Sequence, residues 1–212
     1  MISISNVSEN DCEITNYTSV LEDDIIIPAY FLGKKVVKIG KGAFYKCACT
    51  GSLVIPDTVE TINSFAFSSS MFKGNLTLPK NIKRIEENTF WMCKFTGTLE
   101  LPDSLEYIGK FAFYGCDFTG SIRIPKNVKI IDTSCFSKCK FDSLIFEEGS
   151  VLRIINEWAF ADVPLSGKIE FPKSIKLINR RAFLDCDNID SINVPYDEEV
   201  FKNCSKVSVA ST

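Results

Sequence analysis

The hydrophobic positions of this chain fall into a sentence that is written again and again. From Gly97 to Gly120 it reads GTLELPDSLEYIGKFAFYGCDFTG, and nearly the same wording stands on either side. Reduced to its apolar positions, the unit has two aliphatic residues separated by one position, then usually a proline. An aliphatic residue follows three positions later, then an isoleucine, then Ala-Phe-x-x-Cys-x-Phe-Thr-Gly. The phenylalanine before the cysteine slot recurs at Phe44, Phe67, Phe90, Phe113, Phe136, Phe160 and Phe183, a spacing of 23 residues with one of 24. Self-similarity at a fixed period of roughly 20–50 residues marks a stacked repeat, in which no unit buries its apolar face alone and neighbours do so together.

Each unit predicts the same elements. The pair Leu99 and Leu101 alternates with Glu100, so its aliphatics face inward and the residue between them faces out. Pro102 lacks an amide donor and ends the strand. The segment around Leu105 and Ile108 turns a corner and can pair as a second short parallel strand. Ala112-Phe113-x-x-Cys116 has helical spacing but the length of one turn, which predicts a 3₁₀ or short α turn. The glycine of the Thr-Gly pairs permits a tight turn into the next strand.

Residues 1–23 depart from the pattern. Ile2-Ser-Ile-Ser and Cys12-Glu-Ile-Thr alternate like short strands and would cover the open end of the stack, while Ala29 to Lys35 form an extra loop inside the first unit. The regular units occupy 24–194. Residues 195–212 hold a shortened last unit, with Phe201 and Cys204 close behind Val194-Pro195, so the whole of 1–212 is expected to be one repeat domain with two caps.

Composition narrows the chemistry. With 24 basic and 27 acidic residues there is no clustered positive charge for nucleic acid, and no apolar run is long enough to span a membrane. The first residues lack the basic start and apolar core of a signal peptide. The chain has no histidine, which removes the commonest general base and zinc ligand, so no enzyme and no cofactor are expected. Of nine cysteines, Cys47, Cys93, Cys116, Cys139 and Cys186 share one repeat slot, where Ser70 and Val163 also stand. A slot that takes Cys, Ser or Val is small and buried, which points to reduced thiols rather than a disulfide ladder. Cys47-x-Cys49 and Cys135-x3-Cys139 lack a second pair at zinc-finger spacing.

These units, over about residues 24–209, resemble the BspA-type leucine-rich repeats of host-associated bacteria and parasitic protists. The lead-in from Ile14-Thr-Asn-Tyr17 through Ile27-Pro28, Gly33-Lys-Lys-Val36 and Ile39 is similar to that family's as well. The resemblance implies an α/β leucine-rich-repeat solenoid, mainly short parallel strands with 3₁₀ or short helical turns. It would be a right-handed curved superhelix of about seven rungs with end caps. It further implies a non-catalytic recognition scaffold, often an adhesin-like module at a cell surface, and it carries over no catalytic residues.

Function would then lie on outward positions. The residues between the paired strand aliphatics form a column in which Glu100, Arg123, Ile145 and Glu170 make a mixed stripe on the expected concave face, where Glu100 opposite Arg123 would balance charge. Along the neighbouring edge Asp57 and Glu60, Lys80 and Lys83, Asp103 and Glu106, Lys126 and Lys129 alternate in sign, which favours correct register. Aromatic residues outside the core slots form a rim: Phe65, Phe111 and Trp158 two positions before the core phenylalanine, Tyr45, Trp91 and Tyr114 one after it. They either shield the core edge or bind a partner. The expected partner is a protein, with a structural, self-associating module or a glycan-binding module as alternatives. Compartment and oligomeric state stay open.

Overall fold

Short strands form where aliphatic pairs repeat, because each pair completes its hydrogen bonds on the copy one unit away. The computed structural model describes residues 2–18, 24–194, 198–204 and 208–209. Pro195 and Val207 of the last unit lie outside them. The described chain is a β-solenoid of about eight turns, in which Phe201 stacks on Phe183 at 5.0 Å and adds a turn to the seven expected.

Two parallel ladders run along it. One pairs Ile25–Ile26, Leu53–Val54 and Leu76–Thr77, then Thr119–Ile124 with Lys140–Phe146, then Ser166–Ile169, Asn188–Ile192 and Ser208–Val209. The other is the corner segment, where Ile85, Ile108, Ile131, Ile155 and Ile178 stand in register from turn to turn. Its first strands are Asp11–Tyr17 and Lys34–Ile39. Asp11–Tyr17 also pairs antiparallel with Ile2–Asn6, and Tyr17 stacks on Phe44 at 4.8 Å. Ala29 to Lys35 is a hairpin rather than a plain loop, since Tyr30–Phe31 pairs antiparallel with Lys34–Lys35.

The third side of each turn differs from the expectation. No α- or 3₁₀-helix occurs among the described residues; the Ala-Phe-x-x-Cys segment is a run of β-turns. Alternate amides close these turns locally, as Ala43 N–H to Gly40 O at 3.2 Å and Cys47 N–H to Phe44 O at 3.0 Å. The amides between them donate to the next turn of the solenoid instead. Phe44 N–H reaches Ala66 O at 2.7 Å, Phe67 reaches Thr89 O at 2.9 Å and Phe113 reaches Cys135 O at 2.8 Å. A helix needs successive amides to bond three or four residues back, so donors of which every second one is engaged by a neighbouring copy cannot build one.

This geometry forces left-handed backbone at two slots per turn. Phe65, Asn88, Phe111 and Trp158 before the core phenylalanine, and Lys46, Ser69, Met92 and Lys138 after it, have φ of 54–62°. Gly42 and Gly115 hold the same slots without a side-chain penalty. Replacing Ser69 by glycine should therefore raise stability by ~0.5–1 kcal/mol, the left-handed cost relieved less the added freedom of the unfolded chain. A denaturation midpoint at or below that of the parent chain would contradict it.

The core is one continuous column. Phe67, Phe90, Phe113 and Phe136 stack with centroids 5.3–5.6 Å apart and planes within 10° of parallel. A second column, Phe72, Phe95, Phe118 and Phe141, lies edge-on to the first, with Phe113 and Phe118 6.2 Å apart.

Candidate functional site

The cysteine slot proves to be a hydrogen-bonding position. The thiols of Cys93, Cys116, Cys139 and Cys186 donate to the carbonyls of Phe67, Phe90, Phe113 and Phe160 at 3.0–3.2 Å, and the Ser70 hydroxyl donates to Phe44 O at 2.6 Å. Each binds the core phenylalanine one turn earlier, which explains why Cys and Ser interchange there. Burial pushes the Cys93 thiol up to about 12 and raises Cys116, Cys135 and Cys139 as well, so these are unreactive structural groups. The expectation of thiols throughout fails at one place: Cys47 and Cys49 are joined as a disulfide, because Cys49 takes the slot that Phe72 and Phe95 fill in the next turns and lies beside Cys47. Seven cysteines among the described residues are free, and only Cys204 is part-exposed. Its thiol donates to Phe183 O at 2.9 Å, as the other slot cysteines do one turn earlier. Iodoacetamide on the native protein should therefore label Cys204 alone, and all seven after denaturation, as read by intact mass. Rapid native labelling at Cys116 would disprove the assigned packing.

The most buried carboxylate is structural too. Asp132 receives hydrogen bonds from the Tyr107 hydroxyl at 2.7 Å, the Thr133 amide at 2.7 Å and the Asn156 side chain at 2.8 Å. Burial alone would raise its pKa, but these donors outweigh that and hold the carboxyl below its usual value. A carboxylate held ionised by three donors is not poised as a general base.

On the strand face, the candidate stripe separates into parts. Glu100 is exposed and does not pair with Arg123. Arg123 instead reaches Glu147 in the next turn and Asp103 at 3.4 Å. Glu147 stands where the other units carry proline; its amide donates to Ile124 O at 3.2 Å and its carboxylate accepts from Lys126 N–H at 2.7 Å. The expected Glu100–Arg123 balance is thus replaced by Glu147, the residue that stands in for the proline in the following unit. Ile145 and Glu170 do come together, in a groove of about 290 Å³ lined also by Leu144, Phe146 and Lys168. Ile145 is 49% exposed, and Lys168 pairs with Glu170 at 2.6 Å, which lowers the Glu170 carboxyl. Of the alternating edge charges, Asp57 meets Lys80 at 3.8 Å and Glu106 meets Lys129 at 2.6 Å, exposed pairs that contribute little individually.

The aromatic rim gathers on the turn side. Phe65 and Trp91 line an open cavity of about 690 Å³ with Tyr45, Lys41, Gly42, Ser68 and Asn88. Trp91 stacks on Tyr114 at 6.3 Å, and Phe111 meets Tyr114 edge-on at 5.8 Å. Trp158 lies two turns further along, 37% exposed and outside the cavity. Tyr45 and Lys41 were legible in sequence only as members of their columns. That they line one cavity with Phe65 and Trp91 is seen only in the folded turns.

Parallel strand ladders on a 23-residue repeat, closed by a turn column over stacked phenylalanines, define a leucine-rich-repeat solenoid. The family profile described as BspA type leucine rich repeat region matches residues 24–141 and 83–208 in six copies. The chain belongs to that family. Among solved structures it is similar to a leucine-rich repeat protein from Bacteroides ovatus, at 21% identity and a TM-score of 0.55, over 97% of this chain and 68% of that one. It is also similar to a leucine-rich repeat protein of T. pallidum, at 18% identity and a TM-score of 0.51, over 76% of this chain and 85% of that one. A third is the pneumococcal vaccine antigen PcpA, at 21% identity and a TM-score of 0.54; the alignment covers 92% of this chain but only 48% of the antigen. At these identities the likeness is one of fold. None of the curated proteins compared matches the chain significantly.

Proposed function

We propose that this chain is a non-catalytic recognition scaffold that binds a protein through its strand face, in an adhesin-like role toward a host or matrix protein. The observation that carries it is Ile145, an aliphatic residue left 49% exposed at a strand position and set in a groove beside the Lys168–Glu170 pair. An apolar spot ringed by charge is the arrangement that anchors protein interfaces. Membership of a repeat family that serves as a protein-binding scaffold supports the reading.

Arg123 is a poor probe, since its guanidinium holds Glu147 and reversing it would disturb the fold. Ile145→Arg with Glu170→Lys changes two exposed side chains instead. Pull-downs from matrix extract and from cytosolic lysate should yield a protein retained by the parent chain and lost by this folded double variant, and the source that yields it identifies the compartment. Equal retention by both chains would move the site elsewhere. Concentration-dependent association of the protein alone, with no partner from either source, would favour a self-assembling structural role.

A further inference from the structure

On the turn side, independently of the strand face, the structure carries a second surface with a different chemistry. Its aromatic residues form a staggered pattern. Two positions before the core phenylalanine, successive turns carry Gly42, Phe65, Asn88 and Phe111; one position after it they carry Tyr45, Ser68, Trp91 and Tyr114. Over the first three of these turns large and small alternate in both columns and out of step, so each small residue leaves room beside a ring; Phe111 and Tyr114 are both large and end the alternation. The cavity of about 690 Å³ lies where Gly42, Ser68 and Asn88 face Tyr45, Phe65 and Trp91.

Lysines stand over these rings. Lys41 Nζ is 5.9 Å from the Phe65 centroid, Lys46 Nζ is 5.1 Å from Tyr45 and Lys138 Nζ is 5.8 Å from Tyr114. None of Lys41, Lys46 and Lys138 forms an ion pair among the described residues, whereas other lysines of the chain do. The exposed carboxylate in this stretch, Glu87, accepts a hydrogen bond from Asn88 at 3.1 Å. In the slot of Lys46 and Lys138 the intervening turns carry Ser69, Met92 and Gly115, and Lys138 hydrogen-bonds Tyr114 with Asp162 nearby, so the open cations by the cavity are Lys41 and Lys46 of the first turn. In a chain of net charge −3, an aromatic ridge with the ammonium groups of Lys41 and Lys46 outside any described ion pair is a local reversal of sign that asks for an anion.

The backbone narrows what kind of anion. Along this ridge the amides and carbonyls are engaged from turn to turn, as Phe44 N–H to Ala66 O, Lys46 N–H to Ser68 O and Met92 N–H to Tyr114 O at 2.7–3.0 Å. No strand edge is offered, so an acidic peptide could not add its backbone to the ridge. What is offered is ring faces on three successive turns, one side-chain amide and two ammonium groups. A pyranose supplies matching parts: a C–H face to lie on a ring, hydroxyls for Asn88, and a carboxylate or sulfate for lysine. We infer that the ridge of Tyr45, Phe65 and Trp91, with Lys41 and Lys46, is a binding site for an acidic oligosaccharide.

The experiment is calorimetric titration of the full chain with a panel of hexasaccharides bearing glucuronate, galacturonate, sialate or sulfate. Carboxyl-reduced forms of the uronate members and poly-L-glutamate serve as comparisons. At least one acidic member should bind, and its neutral counterpart should bind at least tenfold more weakly. Trp91→Ala, and separately Lys41→Gln with Lys46→Gln, should each weaken binding by tenfold or more, with circular dichroism and unfolding midpoint near those of the parent. Ile145→Arg with Glu170→Lys should leave glycan binding unchanged, which separates this site from the strand face. No binding by any member at millimolar concentration would overturn the proposal. Equal binding of poly-L-glutamate would do so too, by reducing the site to charge alone, as would affinity unaffected by Trp91→Ala.

Discussion

Truncating Phe113 to alanine should lower the unfolding free energy by about 3–5 kcal/mol, the range for deleting a large buried aromatic residue. Phe113 is fully buried in the middle of the stack. Its ring lies between Phe90 at 5.3 Å and Phe136 at 5.6 Å, with Phe118 edge-on at 6.2 Å. Those neighbours belong to three consecutive turns, each held by its own ladder bonds, so the backbone cannot collapse into the space. The lost area and the residual cavity therefore add rather than offset. Urea denaturation followed by far-ultraviolet circular dichroism is the measurement, and the truncation should also broaden cooperativity between the two halves of the stack. A midpoint equal to that of the parent chain would mean that the ring column is not the core.

The second large effect is expected at Asp132. Asp132→Ala removes one acceptor group and strands three donors, the Tyr107 hydroxyl, the Thr133 amide and the Asn156 side chain. Asn156 in turn accepts from Asn179 at 2.8 Å, so the disturbance reaches the following turn. Leaving part-buried donors unsatisfied costs about 1–3 kcal/mol each when water cannot replace the acceptor, and some will be resolvated, so a total of about 2–4 kcal/mol is expected. The same residue predicts a pH dependence. Its carboxyl is held below the usual carboxylate value in the folded chain, so the folded state prefers the ionised form. The stability this contributes is fully present above the unfolded pKa of about 4 and is lost as pH falls through the lower folded value. Asp132→Asn cannot titrate, so its deficit relative to the parent should be largest near pH 7 and shrink toward about pH 3. A deficit constant across that range would show that ionisation of Asp132 is not what the network stabilises.

The two effects differ in how visible they were beforehand. Phe113 announces itself through period and residue type: a large apolar residue at the same place in every unit has no role but the core. Asp132 does not, because its slot holds Gly40, Asn63, Glu86 and Gly109 in the preceding turns. Its importance comes from a tyrosine one turn back and an asparagine one turn forward, each of which looks unremarkable alone. The candidate surface follows the same division. The columns containing Ile145 and Glu170, or Phe65 and Trp91, could be written down from the repeat. Which members touch could not: Glu100 and Arg123 are one repeat apart and do not pair, while Arg123 and Glu147 belong to different columns and do.

What the sequence by itself determined is the stack: the register, the inward residues and the two strand ladders. It determined these because a strict period leaves one way to bury every apolar column at once. The tertiary structure alone decided the turn side. There the amides bond to a neighbouring copy rather than four residues back, which replaces the expected helical turn with β-turns and sets two left-handed residues in each unit. On that side Tyr45, Phe65 and Trp91 come to line one cavity, with Phe65 itself at a left-handed position. Those backbone angles arise from hydrogen bonds that span about one repeat, and no local spacing in the chain encodes them.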